Sequence, residues 1–220
     1  MKYVTLLPSN KKIQVNNIFC VGKNYAEHAK EMGGGIPTEP IIFLKPTSSI
    51  IADNESVILP KKSNNVQHEV ELTILIGKRG RNIPPEKATQ YVAGYGVGLD
   101  ITMRDVQNEA KKEGNPWTIA KGFYTSAPLS TFADAKTVPN PNNVDITLEV
   151  NGVIKQHSNT SNMIFSVEQL VAYISSIFSI EEGDIIYTGT PEGVAPIVAG
   201  DFLYAKIKDV AMLHTNVVAE

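Results

Sequence analysis

The chain has 220 residues, 42% of them hydrophobic and 20% charged, with 20 basic against 23 acidic side chains and a formal net charge of −3. That is the balance of an ordinary globular protein, long enough to bury roughly 70% of the surface its unfolded form exposes. It excludes long disorder and speaks against a nucleic-acid or polybasic membrane surface as the main business of the molecule.

Cys20 is the single cysteine, which excludes a disulfide within the chain and any thiolate zinc site. Its apolar flanks predict a small buried hydrophobe. No apolar run approaches the ~20 residues of a membrane-spanning helix. The opening Met1-Lys2-Tyr3-Val4 has the character of neither a signal nor a transit peptide, so a cytoplasmic location is expected, and the Asn-x-Ser sequons at Asn54 and Asn159 carry no weight.

In chain order, Ile18 to Val21 reads as a short apolar strand. Asn24, with Glu27 three residues on, is placed to cap a short helix that Gly33-Gly34-Gly35 ends. Ile41 to Leu44 is a second strand, closed by Lys45-Pro46. Glu69 to Ile76 alternates, with Val70, Leu72, Ile74 and Ile76 on one face and Glu69, Glu71 and Thr73 on the other. Gly94 to Thr102 alternates too; Val97, Leu99 and Ile101 share a face, and Gly94, Gly96, Gly98 and Asp100 share the opposite one. A polar helix follows from about Thr102 to Glu113, stopped by Gly114. The stretch from Val138 to Asn143 is a turn-rich loop. Asp145 to Val150 and the strand from Val153 flank Asn151-Gly152, a strong hairpin signal. Ser166 with Gln169 forms a capping box on a helix whose Val167, Leu170, Ile174 and Phe178 make a core stripe. Asp184 to Thr188, Phe202 to Ile207 and Ala211 to Val218 complete a strand-rich end. No internal repeat is visible. The sum is one β-rich α+β domain over residues 1–220.

The sharpest chemistry lies in Glu69-Val70-Glu71. Period two puts both carboxylates on one strand face, about 7 Å apart at the base. Alone, such a pair reads as a solvated strand face. The apolar opposite face argues for a packed strand, and Asp100 stands on a face otherwise lined with glycines, which leaves room close to the backbone. Were the two strands neighbours, three like charges would converge, each pair costing about 4 kcal/mol at ~4 Å and an effective dielectric near 20. A divalent cation would neutralise them, and an all-oxygen set selects Mg²⁺, with Mn²⁺ or Ca²⁺ as substitutes.

His28 and Glu31, three apart on the first helix, share a face; a carboxylate beside an imidazole fixes its tautomer and makes it a general base. The alternative is a surface ion pair. The triple glycine beyond them suggests a segment able to act as a lid. His68 is aimed away from its neighbour Glu69 by strand alternation and is not counted as a ligand. His157 and His214 show no partner and read as surface residues. Arg104, Gln107 and Lys111 lie along one side of the helix after Asp100, and Lys121, in an apolar setting, needs a partner. Thr188-Gly189-Thr190-Pro191-Glu192-Gly193 forms a loop that offers hydroxyls and N–H groups to an anion. No dinucleotide fingerprint, phosphate-binding Gly-Lys-Ser/Thr or Gly-x-Ser-x-Gly elbow occurs.

Taken together, Val21-Gly22-Lys23-Asn24-Tyr25-Ala26-Glu27-His28 with Glu31, Phe43-Leu44-Lys45-Pro46, His68-Glu69-Val70-Glu71-Leu72, Asp100-Ile101-Thr102-Met103-Arg104-Asp105-Val106-Gln107, Pro116-Trp117 to Lys121, and Gly183-Asp184 to Gly193-Val194 resemble the fumarylacetoacetate hydrolase family, in its small single-domain acylpyruvate hydrolase branch. They run in family order from about residue 18 to 200. The resemblance implies a mixed β-sandwich roll with a few short helices, a homodimer, and Mg²⁺ or Mn²⁺ held by Glu69, Glu71 and Asp100. It makes His28 with Glu31 the water-activating dyad and gives Lys121 the developing negative charge. It assigns Lys45, Arg104, Gln107 and Thr190 to the oxygens of a small 2-oxo or 2,4-dioxo acid. The implied reaction is hydrolysis of a carbon–carbon bond in an acylpyruvate, giving pyruvate and a carboxylic acid through a metal-stabilised enolate. Oxaloacetate decarboxylation, oxaloacetate keto–enol tautomerisation, isomerisation of dienoic diacids from aromatic degradation, and a non-catalytic metabolite-binding module are the alternatives. Phe123-Tyr124 stands where many relatives carry Phe-Asp, and the extra N-terminal domain of fumarylacetoacetase is missing, which disfavours fumarylacetoacetate itself.

Overall fold

The computed structural model describes residues 1–31, 33 and 35–220, so Gly34 of the triple glycine and Met32 before it lie outside the described residues. The strands are β1 (Tyr3–Leu7), β2 (Lys11–Gln14), β3 (Ile18–Gly22), β4 (Ile41–Lys45), β5 (Ile50–Ile51), β6 (Ser56–Leu59), β7 (Val66–Gln67), β8 (Val70–Ile76), β9 (Val92–Leu99), β10 (Thr102–Met103), β11 (Ala127–Pro128), β12 (Phe132–Asp134), β13 (Asp145–Val150), β14 (Val153–Asn159), β15 (Ile185–Tyr187), β16 (Phe202–Ile207) and β17 (Ala211–Ala219). The α-helices are α1 (Ala26–Glu31), α2 (Arg104–Glu113), α3 (Thr118–Lys121) and α4 (Val167–Ile177). Among the described residues, no helix is long and apolar enough to cross a membrane.

Eight strands form a mixed sheet in the order β2-β1-β12-β9-β8-β15-β3-β4, and five form a second sheet, β14-β13-β16-β17-β6. One core fills the space between the sheets. Val70, Leu72 and Ile74 of β8 meet Ile146, Leu148, Leu203 and Leu213 there, with the Val167, Leu170 and Ile174 stripe of α4. A second core covers the other face of the large sheet, where Ile18, Cys20, Leu75, Phe132 and Tyr187 pack. Every residue of β8 is therefore buried, and its acidic face is no solvated surface.

Several local expectations hold for their stated reasons. Asn151 and Gly152 take positive φ values of 53° and 77° in the β13–β14 turn, the conformation this hairpin needs. The Ser166–Gln169 capping box forms on α4, and Gly114 ends α2 in the left-handed conformation. Cys20 is fully buried, and burial pushes its thiol well up.

Others need correction. Asn24 does not cap α1. Its amide nitrogen donates to Thr188 O at 2.7 Å and Phe165 O at 3.0 Å, and its oxygen accepts Phe165 N–H at 2.7 Å; it ties three distant segments together, a higher demand on a buried amide than a six-residue helix makes. The glycines of β9 make room for protein and not for a ligand: a Cβ on Gly98 would meet the Tyr187 ring at 2.6 Å, and one on Gly96 would meet Ser130 Oγ at 2.9 Å. His214 does have partners. Its ring lies 3.2 Å from Asp53 Oδ1 and stacks on Tyr204 at 4.9 Å.

Candidate active site

β8 and β9 are antiparallel neighbours, with Glu71 opposite Gly98, and Asp100 N–H donates to Glu69 O at 2.8 Å just beyond the strand ends. Alternation then turns Glu69, Glu71 and Asp100 to one side. One carboxylate oxygen from each lies within 4.8 Å of the others, and all three residues are buried.

Three cations sit among these acids. Lys121, at the end of α3, donates to Glu69 Oε2 at 2.8 Å, Asp100 Oδ2 at 2.6 Å and Thr102 Oγ1 at 2.7 Å, which uses all its protons. Arg104, in the first turn of α2, donates through one terminal nitrogen to Glu69 Oε1, through Nε to Gln67 Oε1 at 2.8 Å and through the other to Gln107 Oε1 at 2.6 Å. Lys45, at the end of β4, lies 2.8 Å from Asp100 Oδ1.

The electrostatics split the acids. Burial alone would raise Glu69, but Lys121 and Arg104 outweigh it and hold this carboxyl well below the usual range. Glu71 makes no ion pair among the described residues; burial, with Asp100 and Glu69 adding to it, outweighs the pull of Lys121 and of the Gly189 N–H, which donates to its Oε2 at 2.6 Å, and pushes it well above the usual range. Lys121 is raised despite burial, because Asp100 and Glu69 favour its charged form. Asp100 Oδ1 accepts no hydrogen bond among the described residues. A buried carboxylate oxygen left without a hydrogen bond, beside an acid that no ion pair occupies, keeps lone pairs free, and this all-oxygen set fits a hard divalent cation held by Glu69, Glu71 and Asp100.

His28, on α1, is 4% exposed, and its Nδ1 lies 3.1 Å from Glu31 Oε2. The carboxylate fixes the Nδ1–H tautomer and leaves Nε2 as the basic atom. The other Glu31 oxygen accepts Gly193 N–H at 3.2 Å, so the dyad is tied to the loop after β15. A cavity of about 30 Å³ is lined by His28, Glu69, Arg104, Gln107, Lys111 and Lys121, with Phe43 and Trp117 closing its apolar side.

Of the residues singled out in the sequence, Glu69, His28, Arg104, Gln107, Lys111 and Lys121 meet at this cavity. Lys45 stands behind Asp100 with its side chain fully buried, its protons turned to Lys121 O, Ser126 O at 2.9 Å and Ser126 Oγ at 3.2 Å. Thr190 lies one residue past the N–H that holds Glu71. His68 is buried and faces Gln156, as expected of a non-ligand. Sequence reasoning missed Gln67, Thr102 and Gln156, neutral polar residues whose only signal is adjacency to a charged motif or to none.

The model for the C-terminal part of fumarylacetoacetate hydrolase matches residues 17–218. The mitochondrial oxaloacetate tautomerase of Mus musculus is 47% identical over 201 residues, covering 91% of each chain. The structure of fumarylpyruvate hydrolase from Pseudomonas aeruginosa, in complex with Mn²⁺ and pyruvate, superposes with a TM-score of 0.95 at 38% identity over 100% of this chain and 96% of that one. 5-Carboxymethyl-2-hydroxymuconate delta-isomerase from Mycobacterium smegmatis is 38% identical with a TM-score of 0.85, over 95% and 81%. With an acid cluster suited to a dication, a buried His28–Glu31 pair beside it and this match over nearly the whole chain, the chain is an enzyme of the fumarylacetoacetate hydrolase family.

Proposed function

We propose that this enzyme enolises small 2-oxo acids at a Mg²⁺ site, with keto–enol tautomerisation of oxaloacetate as its principal reaction. The observation that carries the proposal is the His28 imidazole, oriented by Glu31, in one small cavity with Glu69 of the three-carboxylate cluster. The likeness to an oxaloacetate tautomerase over nine-tenths of both chains supports the substrate.

Glu69, Glu71 and Asp100 would hold the dication, which would supply Lewis acidity to a bound 2-oxo acid. The protein does the rest. Arg104 occupies the Gln107 oxygen, so the Gln107 amide hydrogens are left to donate to substrate. His28 Nε2 takes the proton from the carbon beside the keto group; that C–H electron pair becomes the new C=C bond, the C=O π pair moves onto the oxygen, and a proton is returned there. Lys121 keeps its charge and offsets negative charge as it develops.

A second reading, hydrolysis of acylpyruvates, is favoured by the His28–Glu31 pair, an arrangement equally suited to activating water, and by the likeness to fumarylpyruvate hydrolase. There, water adds to the distal carbonyl, the carbon–carbon bond breaks, and its electron pair is taken up as pyruvate enolate before protonation. A homodimeric state belongs to the same proposal, supported by the exposed Leu44, Ile119 and Tyr124, and light scattering tests it.

The deciding experiment follows enol–keto exchange of oxaloacetate, oxaloacetate decarboxylation and acylpyruvate cleavage side by side, with Mg²⁺, with Mn²⁺ and with a chelator. Metal-dependent acceleration of the exchange above the other two is expected. An exchange rate equal to that of metal ions alone overturns the proposal.

A further inference from the structure

Gln156 lies in an otherwise exposed stretch of β14, yet is itself 1% exposed. Its amide is fully used. The oxygen accepts Val70 N–H at 3.1 Å and lies 2.9 Å from His68 Nδ1. The nitrogen donates to Thr190 Oγ1 at 2.9 Å and to Pro191 O at 2.9 Å.

A carboxamide's two ends are told apart only by what surrounds them. Here the backbone decides. Val70 N–H can only donate and Pro191 O can only accept, so the amide has one orientation. Two consequences follow. His68 Nδ1, facing an acceptor, carries the proton of a neutral imidazole. Thr190 Oγ1 receives a hydrogen bond from Gln156, so its own proton is turned elsewhere, and among the described residues no group accepts it. The neighbouring Thr188 hydroxyl, by contrast, donates to Leu72 O at 2.9 Å.

We infer that Gln156 is a positioning residue that fixes the Thr190 hydroxyl as a proton donor toward an anionic substrate oxygen. It also locks the loop bearing Thr190 to Val70, the residue between Glu69 and Glu71, so the donor and the carboxylates keep one mutual geometry. Gly193 completes the clamp, because a Cβ there would run into Lys155 O of the same strand. The inference rests on the reading of Thr190 as facing the substrate.

The test is a double-variant cycle of Gln156→Met and Thr190→Val on the Mn²⁺-loaded protein, read by calorimetry with oxalate and by kcat and KM for oxaloacetate enol–keto exchange. Each single variant should weaken oxalate about tenfold to a hundredfold, the scale of one hydrogen bond to a charged group, with Mn²⁺ affinity unchanged. The double variant should bind no worse than Thr190→Val alone, whereas in a Thr190→Ser background, which keeps the hydroxyl, Gln156→Met should still cost its full factor. Should Gln156→Met not fold, Gln156→Glu retains the acceptor for Val70 N–H and takes its place in the cycle. Additive losses, or oxalate affinity untouched by the Gln156 variant, overturn the inference. A wild-type protein that binds oxalate with this pattern but turns over no 2-oxo acid overturns the proposed function and leaves the role of Gln156 standing.

Discussion

Lys45 Nζ lies 2.8 Å from Asp100 Oδ1, yet among the described residues that oxygen accepts no hydrogen bond. The ammonium spends its protons on Ser126 and the Lys121 carbonyl. Asp100 thus has a counter-charge without losing its lone pair, which stays available to a cation.

Breaking a buried ion pair costs about 3–5 kcal/mol, because it strands the remaining charge. Lys45→Met is expected to lose stability on that scale in denaturant titrations run with a chelator. Mg²⁺ should restore part of the loss by taking over the neutralisation of Asp100; an equal loss with and without Mg²⁺ would count against this role.

Glu71 must ionise to ligate a cation, and burial together with Asp100 and Glu69 holds its carboxyl well above the usual range. Mg²⁺ binding should therefore tighten as pH rises and release a proton, seen as a dependence of calorimetric heat on buffer. The folded-state value lies above the unfolded one, so ionisable Glu71 subtracts stability as pH rises through the ordinary carboxylate range and beyond. Glu71→Gln is expected to stabilise the metal-free protein near neutral pH while lowering kcat/KM by about 10³ or more.

In the proposed mechanism His28 is the base, with Glu31 behind it. Removing a general base costs typically 10² to 10⁴ in rate. His28→Ala should fall in that range for enol–keto exchange and fall further for acylpyruvate hydrolysis, where water must also be activated. Unchanged hydrolysis in steady-state assays would remove the dyad from the mechanism.

Lys111 sits on the cavity wall, its ammonium 5.2 Å from the centre of the Trp117 ring. Burial lowers its pKa, and Arg104, Lys23 and Lys121 add to the effect against the weaker pull of Glu69, bringing it down to about 8. Below that pH it is charged, and above it neutral. KM for a dianionic substrate should rise above pH about 8, and Lys111→Met should flatten that limb while raising KM at pH 7.

The acids were legible in the sequence because period two is a strong local rule: Glu69, Glu71 and Asp100 each fall on a predictable face, and the only unknown was whether β8 and β9 adjoin. The capping box of α4 and the Asn151-Gly152 turn were legible for the same reason, as short-range chemistry. What escaped was long-range. Gln156 meets Thr190 across 34 positions, and nothing in Lys155-Gln156-His157 distinguishes it from its exposed neighbours. Asn24 carried a helix-cap signal and obeyed a tertiary one. The glycines of β9 pointed correctly to a close approach, but the approaching group is Tyr187, which no periodicity identifies. β1, β2 and β12, at one end of the large sheet, went unread because they are short and partly polar, with too few residues to show an alternation.

The pairing of Glu71 with Gly98 has one more consequence. Slipping β8 by a single position would swing its acids into the apolar layer between the sheets and bring Leu72 to face the cations. Misalignment is thus punished by the very charges that do the chemistry, so a chain that has found its native alignment has already assembled its catalytic floor, and one that has not is handed over to unfolding before it can act on anything.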